Sequence, residues 1–510
     1  MVPFKAPVED ILQSLHVFAK VSTLADWDDD LASDIVNHFA GFAENVISPL
    51  NASGDQEGAK LENGRVRMPV GFVDAYQQIS DAGWQGLTAP ECYGGMDASP
   101  LISAAVSEIF TGANHALQMV CNLVPGAITT ILKFGTEGQK NQWIPRLASG
   151  EVLSTMCLTE PHAGSDLSGI RTSAKKSGSG WKITGEKIFI SGGDQDMSAS
   201  ILHLVLARTG RKEDGVKGLS LFLCPAGAGV KVTRIEEKMG LHASPTCQMQ
   251  FDAAEAELIG NEGEGLVAMF AMMNHARIDV ALQGVAHAAR ALQISKAYAD
   301  ERRQGQSKDG AAATISVHAD VRRMLDRQLD LAVTARAACH LTLAELERNY
   351  ASPLIEFLTS LCKIYGSEAG IEAADLGIQI LGGYGYLNEY GISQIWRDAR
   401  ITAIYEGTNG IHKRTLVTRG IKTKGAEAFA DFVSNVAGGD AVIDHAMATW
   451  KELLSKIKNA DDPLQYAHSF SEVSYALLRQ AIWRKIGVEN TYQDRTVMQR
   501  VADQILNSES

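Results

Sequence analysis

The sequence predicts an α+β, multi-domain fold in the order helical, β, helical, and three observations carry that prediction. At about 150 residues per domain, the 510 residues amount to roughly three domains. The text changes near residue 152 from Ala-, Leu- and Glu-bearing helical segments to short β-like runs, and helical spacing returns after Gly265. Strands and helices do not alternate, so a doubly wound sheet is not expected. The expected divisions are a helical domain over 1–153, a β domain over 154–262, a helical domain over 263–430 and a helical extension over 431–510.

The first domain reads as helices broken by a loop-rich stretch, Asn51 to Met68, that carries Gly54, Gly58 and Gly64. In the second, Trp181 to Thr184 and Lys187 to Ser191 alternate faces around Gly185-Glu186 as a hairpin does. Ile201 to Ala207 and Leu219 to Cys224 are further short apolar runs. In the third, Val321, Met324, Leu325, Leu329, Ala332 and Val333 mark one buried helix face, and Trp450, Leu453, Leu454 and Ile457 form a stripe in the extension.

Lys+Arg 47 against Asp+Glu 60 leaves −13, a field that repels phosphate backbones and anionic lipid surfaces. Neither nucleic acid nor membrane is an expected partner. Seven cysteines, none spaced C-x-x-C, fit neither a disulfide framework nor a thiolate metal site. No basic segment precedes an apolar core at the N-terminus and no apolar run nears the ~20 residues of a bilayer span. A cytoplasmic protein is expected. Phosphate-loop, dinucleotide, hydrolase-elbow and zinc-helix motifs are absent, and His162, His242 and His275 lack a second ligand at metal spacing, so no metal is expected.

Three segments combine small, polar and aromatic residues. In Met156 to Asp166, Pro161 and Gly164 force an irregular chain that suits either a flat polar ligand or a loop capped by Ser165 and Asp166. In Gln379 to Tyr386, Gly382-Gly383 allow close approach to a diphosphate, or a helix C-cap. In Trp396 to Gly410, Glu406 follows Ala403, Ile404 and Tyr405, surroundings that would desolvate a general base; Thr408 or Asn409 would cap a following helix whose positive end Glu406 would equally favour.

In order, these segments resemble the acyl-CoA dehydrogenase family of flavoproteins over roughly residues 70 to 420. The resemblance rests on Thr159-Glu160-Pro161-His162-Ala163-Gly164-Ser165-Asp166, Lys187-Ile188-Phe189-Ile190-Ser191, Gln379-Ile380-Leu381-Gly382-Gly383-Tyr384-Gly385-Tyr386 and Ile404-Tyr405-Glu406-Gly407-Thr408. Phe4 to Pro7, Lys238 to Cys247, Met272 to Arg277 and Val317 to Leu325 are similar to a bacterial branch that includes 3-methylmercaptopropionyl-CoA dehydrogenase.

The resemblance implies a middle β-barrel or sandwich domain, a C-terminal four-helix bundle, FAD as cofactor, and α,β-dehydrogenation of an acyl-CoA to a trans-2-enoyl-CoA. The substrate it points to is 3-methylmercaptopropionyl-CoA or another short-to-medium acyl-CoA. Glu406 matches the base. Met156, Leu158, Thr159, Gly164, Ser165, Phe189, Ile190, Ser191, Arg302, Gln379, Gly382, Gly383, Thr408 and Asn409 match FAD positions. Ser165, Asn274 and Arg277 match substrate positions, although Arg277 would also suit an ion pair with Asp279 or Glu264. Ala276 stands where some relatives carry the base. Electron-transfer flavoprotein is the expected partner and a homodimer or homotetramer the expected assembly. An oxygen-using oxidase, a DNA-associated flavoprotein of the same fold and a non-catalytic acyl-CoA binder are the alternatives; the −13 charge disfavours the DNA-associated one.

Overall fold

The computed structural model describes residues 2–24, 27–307, 310–349 and 351–489, with 498, 500 and 501; the side chains at 271, 274, 275 and 487–489 lie outside that description. The chain divides into two compact units, one of Met1–Gly41, Pro100–Gly112 and Arg277–Ser510, the other of Phe42–Ser99 and Ala113–Ala276. Helix α1 (Pro100–Cys121) contributes residues to both.

In the second unit, α2 (Val124–Phe134) and α3 (Glu137–Ala148) lead into the strands. The sequence Thr136-x-x-Gln139 starts α3 with a reciprocal cap: the Thr136 hydroxyl accepts from the Gln139 N–H and the Gln139 amide oxygen accepts from the Thr136 N–H. Seven strands follow: β1 (Val152–Cys157), β2 (Ser173–Ser177), β3 (Gly180–Ser191), β4 (Ser200–Arg208), β5 (Leu219–Pro225), β6 (Val230–Ile235) and β7 (Thr246–Ile259). The pairings β4–β2–β3–β7–β5–β4 return on themselves, so the sheet closes into a barrel, with β1 added on β4 and β6 on β7. Closure removes the exposed edges that an open sheet would leave.

The hairpin expected around Gly185-Glu186 is corrected. Residues 180–191 are one strand, and the hairpin joins β2 to β3 through Gly178-Ser179. Gly185 instead marks a break in the β3–β7 register. A Cβ there would lie 2.6 Å from Thr172 Cα, at a φ of +152° that side chains rarely adopt. Glycine here admits a neighbouring backbone rather than a turn.

The other unit is helical: α4 (Gly265–Glu301, from Arg277 onward), α5 (Ala319–Arg348), α6 (Leu354–Leu381), α7 (Asn409–Val417), α8 (Gly425–Ala437), α9 (Ala441–Lys458) and α10 (Ala467–Glu489). Backbones of α4 and α6 touch because glycine stands on both. A Cβ on Gly284 would lie 1.9 Å from the Gly366 carbonyl oxygen, and one on Gly370 would lie 2.7 Å from that of Gly284.

The face of α5 is buried as expected at Met324, Ala332 and Val333 but differs at three other positions. Val321, Leu325 and Leu329 are only half-buried, while Asp326, Gln328 and Asp330 are buried. Polar partners explain the buried polar residues: Asp330 accepts from Arg327, Arg479 and the Trp483 indole N–H, Asp326 pairs with Arg500, and Gln328 donates to Ser295 and the Ala373 carbonyl. Helices α9 and α10 are thereby built into the unit. Trp450 and Trp483 are fully buried, Tyr475 stacks on Tyr365 at 3.8 Å, and Phe357 of α6 meets Phe429 and Phe470.

All seven cysteines are free thiols; Cys92 is exposed and the other six are buried. Among the described residues no single helix is long and apolar enough to cross a membrane, and α1 with α2 passes that test only as a pair bent by 43°.

Candidate active site

Glu406 follows a short 3-10 turn, Arg400–Ala403, and sits at φ +53°, with Gly407 at +88°. A left-handed non-glycine residue is strained, and such strain concentrates where a side chain must be aimed. The Glu406 Oε2 is buried and has no hydrogen-bond partner among the described residues. Burial raises its pKa to about 7, against the cations of Arg277 and Lys363 and with a smaller upward push from Asp279. Its backbone N–H donates to no described group, and its carbonyl accepts from His412 Nε2 at 3.0 Å. Burial brings the His412 pKa down to about 3, so the ring is neutral.

Behind this turn lies Lys363 of α6, fully buried, which donates to the Gly407 carbonyl at 2.7 Å and to Asn409 Oδ1 at 2.9 Å. Desolvation lowers its pKa to about 7. Asn409 also donates to Ser367 and Glu368, so its amide is committed to α6 rather than to capping α7. Thr408 holds the N-cap position without a side-chain cap bond and is exposed. Arg277 forms no salt bridge among the described residues, and its buried Nε is unpartnered. Burial lowers its pKa, against the upward pull of the Glu406 carboxylate. Tyr405, beside Glu406, donates to Gln283 of α4.

Gln379, Gly382 and Gly383 are exposed at the end of α6. Gly382 is both a C-cap, its N–H donating to the Gln379 carbonyl, and a residue at φ +60°, ψ −134° that demands glycine. Nothing lies within 4 Å of a Cβ on Gly382 or Gly383, which leaves room for a group against the backbone. Arg302 is exposed, with its guanidinium over the Tyr384 ring at 5.8 Å.

In the barrel unit, the loop after β1 is welded to β3 by a buried ion pair. Lys187 Nζ donates to Glu160 at 2.9 Å and to the Leu158 carbonyl at 2.8 Å, with both side chains at most 2% exposed. Glu160 also accepts the Arg171 and Thr172 N–H groups. Burial alone would raise the Glu160 pKa, but Lys187 and these donors outweigh it and hold it low. Asp166, not Ser165, caps the Leu167–Gly169 turn. Gly164 and Ser165 are exposed, Met156 and Thr159 half-buried and Leu158 buried. The hydroxyls of Thr159, Ser165 and Ser191 bond to no other described residue.

On β3, Phe189 stands at φ +59°, within a register break between Lys187 and Ile190, and the residue is 61% exposed. An aromatic ring turned out of a barrel by a bulge is a stacking surface. Ile190 itself is buried, leaving only its backbone to offer. The Asn274 side chain lies outside the described residues.

The sequence reading missed Lys363, His412, Glu160 and Lys187. A lysine inside the apolar run Leu361-Cys362-Lys363-Ile364 was the available signal for the first. The second was hidden because it acts through backbone.

The chain matches models of the acyl-CoA dehydrogenase N-terminal domain over residues 30–151, middle domain over 155–254 and C-terminal domain over 263–421. It is 38% identical over 487 residues to 3-methylmercaptopropionyl-CoA dehydrogenase of Ruegeria pomeroyi, covering 90% of this chain and 83% of that one. It is 32% identical to a butyryl-CoA dehydrogenase of Syntrophomonas wolfei, covering 79% and 73%. Among solved structures, an acyl-CoA dehydrogenase of Bacillus anthracis complexed with FAD aligns with a TM-score of 0.79 at 23% identity, covering 96% and 88%, a likeness of fold.

Proposed function

The chain belongs to the acyl-CoA dehydrogenase family, and from that premise we propose that Glu406 is the base of an α,β-dehydrogenation that converts an acyl-CoA to its trans-2-enoyl-CoA. The observation that carries this reading is the Oε2 of Glu406, buried, unpartnered and set in a left-handed turn. FAD, when bound, supplies the acceptor for the hydride that leaves Cβ.

The chain's own residues do the rest. Glu406 removes the α proton at Oε2, and its pKa of about 7 matches a base that works near neutrality. Its unengaged N–H is available to the thioester oxygen as charge develops there. Arg277, unpaired within its own unit, offers a cation to an anionic substrate. The substrate positions are Arg277, Ser165 and Asn274.

Several features fit FAD: the outward Phe189 ring, the unengaged hydroxyls of Thr159, Ser165 and Ser191, and the open backbone at Gly382-Gly383. Met156, Leu158, Thr159, Gly164, Ser165, Phe189, Ile190 and Ser191 in the barrel unit, and Arg302, Gln379, Gly382, Gly383, Thr408 and Asn409 in the helical unit, are the positions assigned to it. Lys363 already engages the Asn409 Oδ1, so that residue has less to offer than the sequence suggests.

The name of the 38%-identical relative supports 3-methylmercaptopropionyl-CoA, or another short-to-medium acyl-CoA, as substrate. Electrons pass to electron-transfer flavoprotein, and the protein works in the cytoplasm as a homodimer or homotetramer. Anaerobic flavin bleaching across short, long, branched and thioether acyl-CoAs tests the substrate, and rapid stoichiometric peroxide in air would replace the dehydrogenase with an oxidase. Glu406→Gln is expected to keep yellow flavin and thioester binding and to lose bleaching by several orders of magnitude. Bleaching at the wild-type rate would remove Glu406 from the role.

A further inference from the structure

We propose that Lys363 is a positioning residue for the reaction: its buried ammonium ties down the backbone after the base and holds the Glu406 carboxylate, by bond and by charge, in its reactive setting. The inference rests on Glu406 being the base.

Three observations converge on Lys363. Its side chain is fully buried in α6, an expensive place for an ammonium that does no work there. It spends two donors on the segment that follows the base, the Gly407 carbonyl at 2.7 Å and Asn409 Oδ1 at 2.9 Å. That segment is the strained one, with Glu406 at φ +53° and Gly407 at φ +88°. The clamp on the Gly407 carbonyl fixes the 407–408 peptide, and with His412 on the Glu406 carbonyl it restrains the left-handed turn whose relaxation would swing Oε2 away.

The charge adds to the clamp. Burial favours the neutral form of Glu406, and a nearby ammonium favours the carboxylate. Other groups share that field: Arg277 and Asp279 of α4, Glu368 of α6 and the neutral His412 of α7. Glu368 accepts from the Asn409 amide nitrogen, whose Oδ1 accepts from Lys363. A neutral hydrogen-bond donor at 363 would keep part of the clamp and none of the charge.

That distinction sets the test, made on the flavin-loaded enzyme by anaerobic bleaching with an acyl-CoA across pH. Lys363→Gln is expected to slow bleaching about 10- to 100-fold, with KM within about threefold, and to move the acid limb of the rate upward by about one pH unit. Lys363→Arg, which keeps charge and donors, is expected to leave the limb in place and recover most of the rate. Thermal unfolding and flavin absorbance check that each variant is folded. Lys363→Met, which needs no buried partner, replaces Gln if that variant fails to fold, with the same limb shift expected.

Wild-type bleaching with an unmoved limb in the neutral variant overturns the proposal. So do equal losses in Gln and Arg variants without a limb shift, which make Lys363 a structural post only. Glu406→Gln in parallel separates the two readings: its bleaching at the wild-type rate overturns the base, whereas its loss beside an unaffected Lys363→Gln overturns only Lys363.

Discussion

For Glu406 as the proposed base the chemistry depends on one proton, and the sign of its pH dependence follows from the raised pKa. The base must be ionised to accept the α proton. With a pKa of about 7, kcat/KM should fall tenfold per unit as pH drops below about 7. Anaerobic stopped-flow bleaching from pH 5.5 to 8.5 measures this directly, and a flat profile through pH 6 would contradict a buried base. Of this candidate site, Glu406 and the paired glycines at 382–383 stood out in the sequence by their surroundings, and Phe189 through the family resemblance. Lys363 and His412 did not. Each acts on main-chain carbonyls that only the folded turn brings within reach, and a lone lysine in a helix ordinarily reads as a solvated one.

Elements hold these residues by a few dense contacts. The loop after β1 and the strand β3 depend on Lys187 and Glu160, charges sealed from water. Removing one partner of such a pair leaves the other buried and unpaired, which costs about 3–5 kcal/mol. Lys187→Met should therefore lower the urea midpoint and release flavin at lower denaturant. A variant as stable as wild type would show that Glu160 is sufficiently held by the Arg171 and Thr172 N–H groups alone. The sequence made β3 visible as an alternating strand but misplaced its hairpin, since Gly185 was read as a turn. Local spacing contains no record of Thr172, the neighbour that requires glycine there. The α4–α6 contact was equally hidden: Gly284, Gly366 and Gly370 matter because two backbones meet, a fact of tertiary packing rather than of either helix.

For the whole molecule, the order helical, β, helical was readable from composition, whereas the part played by the last eighty residues was not. The stripe of Trp450, Leu453, Leu454 and Ile457 marked 431–510 as a helical extension. It could not show that Asp330, on a helix far earlier in the chain, waits for Arg479 and Trp483. Ending the chain after Gly438 would strip Trp450, Phe470, Tyr475 and Trp483 from their partners and leave Phe357, Tyr365 and Asp330 uncovered. Such a truncation should be insoluble or lack a cooperative thermal transition. A soluble truncated enzyme with native bleaching would make these helices dispensable. The placement of the thiols has a different consequence. With six of the seven cysteines sealed inside and Cys92 alone at the surface, the unaltered chain offers a thiol-reactive dye a single address in the barrel unit. A spectroscopic reporter can be attached there without engineering, far along the sequence from the base whose chemistry it would observe.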